Sequence, residues 1–579
     1  MQMPRVIASS AVVLGVVVGL PPGPGSARGI APIEVGQPAR PRPGQGFGLP
    51  ARDAEEPESG TARIAGRVVA ADTGRPLRRV VIRARSERGR GGRLASTDEE
   101  GRYEIPDLPA GSYTLTASKG GYVDIELGQR HPLQRGTPLD LRDGEARTDV
   151  HFSLPRGGVI TGNIVDEFGE PVADAQVMAL TSRFIAGERR LVPGSRDETD
   201  DIGAYRLFGL APGEYVVSAA IPTFRGMQVV GDDAVGYAAT YYPGTPSAAE
   251  AHRVTVVVGQ EVAGVAFSLM PVAMARVSGR VLNSTGESVG GALVQLGPAD
   301  GPAIGGMGGN GVRSRNDGTF TIPSVAPGRY QMLARSGGRG RGGELAIYLL
   351  TVGGADHDGL VLTTSPGASA SGGVVVAGGA SPTFAARTLR VEAVTTLSLP
   401  GPIGGTEQAS VADDWTFRLD GLFGPRLVRV SGLPDGWVLE AVRIDGTDIT
   451  DTPVDFWSVD PVHRVEVVVS SSATTITGTV TDGRGAAVAD YTVIAFADRP
   501  DRWGFRSRFV ATARAKEDGS YVIAGLPPER YLAVALPFVE QGAWTDPAFL
   551  ERLRVAARPF DLTPGGRVAL TLELSADVD

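Results

Sequence analysis

Asp98-Glu99-Glu100-Gly101-Arg102-Tyr103-Glu104-Ile105-Pro106-Asp107-Leu108-Pro109-Ala110-Gly111-Ser112-Tyr113-Thr114-Leu115 holds two strand-like pieces and the reversal between them. In Tyr103-Glu104-Ile105 and in Tyr113-Thr114-Leu115, apolar residues alternate with polar ones, the period of a strand with one buried face. Pro109 fixes φ and Gly111 admits φ > 0, so the chain can reverse tightly between them. Asp98 lies just upstream, where a carboxylate can accept backbone N–H bonds and fix a turn.

The stretch is one part of a repeating pattern. It is preceded by Gly66-Arg67-Val68, the turn Gly74-Arg75-Pro76 and Val80-Val81-Ile82. A second copy reads Gly162-Asn163-Ile164, Gly169-Glu170-Pro171, Gly203-Ala204-Tyr205 and Leu210-Ala211-Pro212-Gly213-Glu214-Tyr215. A third reads Gly279-Arg280-Val281, Gly318-Thr319-Phe320 and Val325-Ala326-Pro327-Gly328-Arg329-Tyr330. The last reads Gly478-Thr479-Val480, Gly519-Ser520-Tyr521 and Leu526-Pro527-Pro528-Glu529-Arg530-Tyr531. A degenerate copy lies before it, with Gly373-Val374-Val375, Trp415-Thr416-Phe417 and Leu422-Phe423-Gly424-Pro425-Arg426-Leu427.

Spacing separates this from a bias in composition. Tyr103 to Tyr113, Tyr205 to Tyr215, Phe320 to Tyr330, Phe417 to Leu427 and Tyr521 to Tyr531 are each ten apart. The opening glycines 66, 162, 279, 373 and 478 recur every 94–117 residues, too long for a solenoid repeat and suited to whole β-sandwiches in series. Thr148–Leu154, Val265–Leu269 and Val568–Leu574 read as closing strands. The pattern predicts an all-β chain of five modules over residues 61–156, 157–272, 273–367, 368–472 and 473–579. Short hand-overs between them predict a semi-rigid series.

Composition narrows the class. The 579 residues include 80 Gly and 42 Pro without the triplet period of collagen, and 42% are hydrophobic, as in globular chains. The net charge of −9 argues against nucleic acid as a partner. With no cysteine there is no disulfide, thiolate nucleophile or Cys-based metal site. Residues 1–27 read as a signal peptide: Arg5, the apolar run Val6–Leu20, then small residues around Gly25-Ser26-Ala27. That run is shorter than the roughly 20 residues a spanning helix needs, so no membrane span is expected after cleavage. Residues 28–60 are rich in Pro and Gly and read as a disordered linker. The expected location is secreted, periplasmic or cell-surface.

The arrangement G-x-V, G-x-P, D-x-x-G-x-Y-x-I and L-P-x-G-x-Y resembles the carboxypeptidase regulatory-like domain. That family is a transthyretin-like (prealbumin-like) β-sandwich related to Cna-B-type and carbohydrate-binding-like modules. The resemblance covers most of residues 61–579 and implies five tandem modules of this kind, non-catalytic and bacterial, with no cofactor. It does not imply a peptidase: His463-Arg464-Val465-Glu466 matches a zinc H-x-x-E by letters alone, and alternation sends His463 and Glu466 to opposite faces. The Lys–Asn crosslink of some Cna-B-type domains needs a buried lysine, and the chain has only Lys119 and Lys516.

Other residues bear on chemistry. Asp197, Glu198, Asp200 and Asp201 form a weak calcium candidate, with a solvated turn favoured. The glycines Gly305–Gly311 read as a strand connection and not as a phosphate cradle, and the eight arginines from Arg75 to Arg93 as an exposed loop. Tyr237, Tyr241 and Tyr242, with Trp503 and Phe505, are the candidate ligand-binding rings, because exposed rings stack on sugar faces. The expected function is an exported, non-catalytic binding or scaffold protein of the cell envelope whose partner is a protein or glycan. The alternatives are a carbohydrate-binding protein using those rings, and an enzyme with an unrecognised site between domains.

Overall fold

The computed structural model describes residues 59–575, apart from 87–91, 186, 222–234, 300–309, 338–342, 380–381, 397–405, 458–461 and 517. The expected signal peptide and nearly all of the expected linker lie outside the described residues, as do the tip of the arginine-rich loop and most of Gly305–Gly311. Strands dominate, and Pro547–Leu553 is the one α-helix among the described residues. No described helix is long and apolar enough to cross a membrane.

Each module encloses its core between two sheets. In the first, Ala62–Ala70 pairs antiparallel with Arg102–Leu108 and parallel with Ala146–Arg147 and Phe152–Leu154. The facing sheet orders Gly92–Ser96, Val81–Ser86, Gly111–Ser118 and Ile125–Glu126, with Leu139–Leu141 also on Gly111–Ser118. Ile64, Val68, Ile82, Ile105, Leu115 and Leu154 meet between them, each at most 1% exposed. Gly158–Val165, Ala275–Leu282, Ala368–Val376 and Thr475–Thr481 hold the same central place in the later modules, each with an antiparallel and a parallel neighbour. The degenerate copy also has a complete core, around Leu389, Val391, Leu422, Val442, Val467 and Val469.

The recurring glycine and aromatic residue face each other. Gly66 pairs with Tyr103, Gly162 with Tyr205, Gly279 with Phe320, Gly372 with Phe417 and Gly478 with Tyr521. A Cβ on those glycines would stand 1.7–2.1 Å from the carbonyl oxygens of Val150, Val265, Leu360, Val465 and Leu570 respectively. Only glycine lets the closing strand come so near, and the ring opposite covers the vacant face. Three of those carbonyls also accept a tyrosine hydroxyl: Tyr103 to Val150 at 2.8 Å, Tyr205 to Val265 at 2.6 Å and Tyr521 to Leu570 at 2.7 Å. In the degenerate module the constrained residue is Gly372, because a Cβ on Gly373 would meet only Trp415 O, at 3.5 Å.

The second aromatic residue of the motif closes the turn. Tyr113, Tyr215, Tyr330 and Tyr531 each donate their hydroxyl, at 2.8 Å, to the carbonyl four residues upstream: Pro109, Ala211, Ala326 and Pro527. The ten-residue spacing therefore links a ring over glycine in one sheet to a ring over a turn in the other. Asp98 acts as expected, its Oδ1 accepting Arg102 N, and in later modules Asp317, Asp414 and Asp518 accept Thr319, Thr416 and Ser520 N.

The fifth module carries an insertion, residues 537–557, between the strands Arg530–Leu536 and Arg558–Asp561. It holds the 3-10 turn Ala543–Thr545 and the helix Pro547–Leu553, whose cap Asp546 accepts Ala548 N at 2.9 Å. Val539, Ala543, Leu550 and Leu553 pack on Ile494, Phe496, Leu532 and Val534, a second core on the outer face of that sheet. This explains why Thr492–Ala497, apolar from Val493 onward, is buried at all six positions: both faces are covered.

The insertion also adds contacts that the short hand-overs did not anticipate. Phe184 of the second module packs on the outer core, and Arg189 pairs with Glu540 at 3.2 Å. Gln541 N donates to Leu133 O of the first module at 2.9 Å, and the His131 and Phe538 rings lie 5.3 Å apart. The fifth module thus touches the first and second as well as its sequence neighbour.

Candidate binding clefts

The sequence-derived aromatic candidates do not converge on one surface. Tyr237 is half-buried and donates to Glu167 Oε2 at 2.6 Å, a bond that pushes its hydroxyl pKa up to about 12. Tyr241 is 8% exposed, within a small core formed with Met178, Leu180 and Val216. Tyr242 meets His252 and Phe267 edge-on at 6.1 and 6.0 Å. In the fifth module Trp503 donates Nε1–H to Ala497 O at 2.7 Å and packs edge-on against Phe496. Phe505 is half-buried under the Arg506 guanidinium, 5.0 Å from its ring centre.

The acidic group is arranged as a turn. Asp200 Oδ1 accepts Ile202 N and Ala204 N at 3.1 and 2.8 Å, and Asp197 Oδ2 accepts Arg206 N at 2.8 Å. Glu198 and Asp201 are exposed. Among the described residues no three His, Asp or Glu side chains gather as a metal-holding group. Glu466 pairs with Arg443 at 2.9 Å. Lys119 donates to Arg78 O at 2.8 Å and Lys516 is exposed, so neither lysine sits in a module core.

Clefts open where the fifth module meets others. The one shared with the fourth module has about 610 Å³. On its wall Asp451 takes both ends of the Arg508 fork, Nε at 2.8 Å and Nη2 at 3.0 Å, with Arg429 and Arg502 at 3.5 and 3.8 Å. Arg502 and Arg508 also lie over the Phe509 ring, 4.7 and 5.4 Å from its centre. Burial lowers the pKa of Arg429, which a lone half-buried carboxylate offsets only in part. This cluster is a joint between modules.

The second cleft, about 560 Å³, lies between the first and fifth modules. The first module contributes Ser112, residues 135–140 and Arg147; the fifth contributes Thr492, residues 512–516, Asp518, Val539 and Trp544. Arg514 on its wall is only 10% exposed and holds Asp490 at 2.7 Å, while Arg130 of the first module reaches the same carboxylate at 3.0 Å. Sequence reasoning missed this cleft. Lys516 and Trp544 stand outside the repeated motif, and nothing local shows that they face the first module.

The fold and its recurrence define an array of β-sandwich modules. Residues 63–154 match the model of the carboxypeptidase regulatory-like domain, so the first module is one. Among solved structures the chain is similar to a streptococcal ancillary pilin: 13% identity, 53% of this chain and 99% of that one covered, TM-score 0.19. It is also similar to GBS52, the minor pilin of Streptococcus agalactiae: 15% identity, 36% and 95% covered, TM-score 0.21. The Bacillus anthracis TIE protein is a third: 9% identity, 72% and 73% covered, TM-score 0.15.

Proposed function

We propose that the chain is an exported, non-catalytic scaffold of the cell envelope, a series of regulatory-like modules that holds a protein or glycan partner at a set geometry. The observation that carries this reading is the multiple anchoring of the fifth module. Phe184 and Arg189 from the second module and Leu133 from the first meet one insertion, while Asp451 of the fourth grips Arg508. Modules tied only by linkers swing freely, whereas contacts between non-neighbours remove that freedom and suit a spacer that holds its shape.

Two measurements test the reading together. Cell fractionation with mass determination is expected to find the chain in the envelope or medium, starting after residue 27; full-length chain in the cytosol overturns the export half. Small-angle scattering of residues 28–579 is expected to give a larger radius of gyration for Phe184→Asp with Glu540→Lys than for the parent. Equal radii overturn the anchored scaffold, and turnover in a hydrolase screen overturns the non-catalytic half.

A further inference from the structure

We propose that the third module carries a self-pairing edge, Leu345–Val352, through which two copies of the chain join their sheets antiparallel across a two-fold axis. The strand lies at one end of a four-stranded sheet and pairs with Gly328–Arg335 at every position, without a bulge. Leu345 shows which way its backbone groups point. Its N–H donates to Ser365 O at 2.8 Å and its C=O accepts Ser365 N at 3.0 Å, both away from Gly328–Arg335. In an antiparallel ladder this direction recurs at every second residue, so Ile347, Leu349 and Thr351 also turn N–H and C=O outward. Among the described residues no donor or acceptor meets those groups.

A free ladder of this kind is a template for another strand, and folded chains blunt it with charge, proline, a bulge or brevity. Every other described edge strand longer than five residues is blunted in this way. Arg102–Leu108, Glu188–Glu198, Ala204–Leu210, Thr319–Val325, His357–Thr363 and Thr416–Leu422 each carry a charge or a proline. Leu345–Val352 carries neither. It exposes Leu349 at 68% and Tyr348 at 43%.

The occupant follows from the symmetry of the edge. A two-fold axis through Leu349 sets this residue against its own copy and Ile347 against Thr351, so every outward N–H meets an outward C=O. The same register brings Tyr348 opposite Leu350 and covers both exposed side chains. Ser365 fixes the register. It already occupies the outward side of Leu345, where an axis through Ile347 would drive Leu349 of the second copy against it. Selecting an extended peptide takes pockets for its alternate side chains, whereas a second copy requires only the match the strand makes with itself. One strand pair is a small interface, so the dimer is expected to be weak and concentration-dependent.

Sedimentation equilibrium of residues 28–579 between about 1 and 100 μM tests the pairing, with a rise toward twice the monomer mass expected. Leu349→Lys places like charges face to face at the axis and should weaken the dimer about tenfold or more. Mixing that variant with Leu349→Glu should restore a dimer of the two. Val361→Lys, at a position 57% exposed on the edge His357–Thr363 of the other sheet, should change nothing. The chain has no cysteine, so Leu349→Cys introduces a lone thiol. Cα atoms of a hydrogen-bonded antiparallel pair lie about 5.5 Å apart, within disulfide reach. Oxidation should therefore link Leu349→Cys into a dimer and leave Val361→Cys monomeric. A monomer throughout the range, a dimer indifferent to Leu349→Lys, no dimer on mixing, or equal crosslinking of the two thiol variants each overturns the proposal.

Discussion

Gly66→Ala isolates the contact on which every module closes. A Cβ at this position would lie 1.7 Å from Val150 O, 2.5 Å from its carbon and 3.2 Å from Tyr103 Cε1. Restoring ordinary contact needs the two segments to separate by about 1.5 Å or more. That movement strains the Tyr103–Val150 bond at 2.8 Å and the Val150 N–Ala65 O bond at 3.2 Å, and it lies between the parallel pairs Ile64–Arg147 and Val68–Phe152. Overpacking costs about 1–3 kcal/mol and each lost hydrogen bond about 1 kcal/mol, so about 3–5 kcal/mol is expected. Gly74→Ala is the control: its φ is 65°, but a Cβ there meets nothing within 4 Å, so only the left-handed backbone cost of about 1–2 kcal/mol remains. Hydrogen exchange of the whole chain, read on peptides from Ala62–Ala70 and Phe152–Leu154, reports the stability of this module alone. If Gly66→Ala costs no more than Gly74→Ala, the close approach is not what the motif glycine serves.

Alkaline pH should loosen the modules. Burial pushes the hydroxyls of Tyr103, Tyr205, Tyr521 and Tyr531 above the ordinary value of 10.0, and Tyr491 to about 12. Their stabilisation is complete below pH 10 and is lost as pH rises through the folded-state values, by about 1.4 kcal/mol per pH unit for each tyrosine still protonated. Chemical denaturation from pH 9 to about 12, with tyrosinate absorbance as the second signal, checks this; a flat profile contradicts it. Leu550→Ala, at a fully buried position of the outer core, should cost about 2–5 kcal/mol and speed exchange in Pro547–Leu553 before the inner core responds. Asp451→Asn leaves Arg429, Arg502 and Arg508 without their shared carboxylate and should weaken the joint between the fourth and fifth modules by about 2 kcal/mol, seen as faster exchange in Val438–Ile444.

The legible part of the fold was the part written in local chemistry. Alternation, Pro-Gly turns and Asp caps act over a few residues, so the strands near Tyr103 and Tyr113 could be read directly, and recurrence then carried that reading along the chain. The degenerate copy shows the limit. Gly372 and Gly373 are equivalent as letters, and only the approach of Val465 O to 1.7 Å from a Cβ on Gly372 distinguishes them. Tyr241 and Trp503 read as rings available to a ligand, yet burial in a sheet core and a bond to Ala497 O occupy them.

The sequence by itself determined the all-β class, the module period and the turn chemistry, because these depend on backbone preference and on periods of two residues. The tertiary structure decided which modules touch and where a cleft forms. Phe184 and Leu550, or Arg130 and Asp490, are separated by hundreds of residues and carry no local signal of one another. Packing of an apolar insertion against distant modules depends on surfaces that exist only after each sandwich has closed.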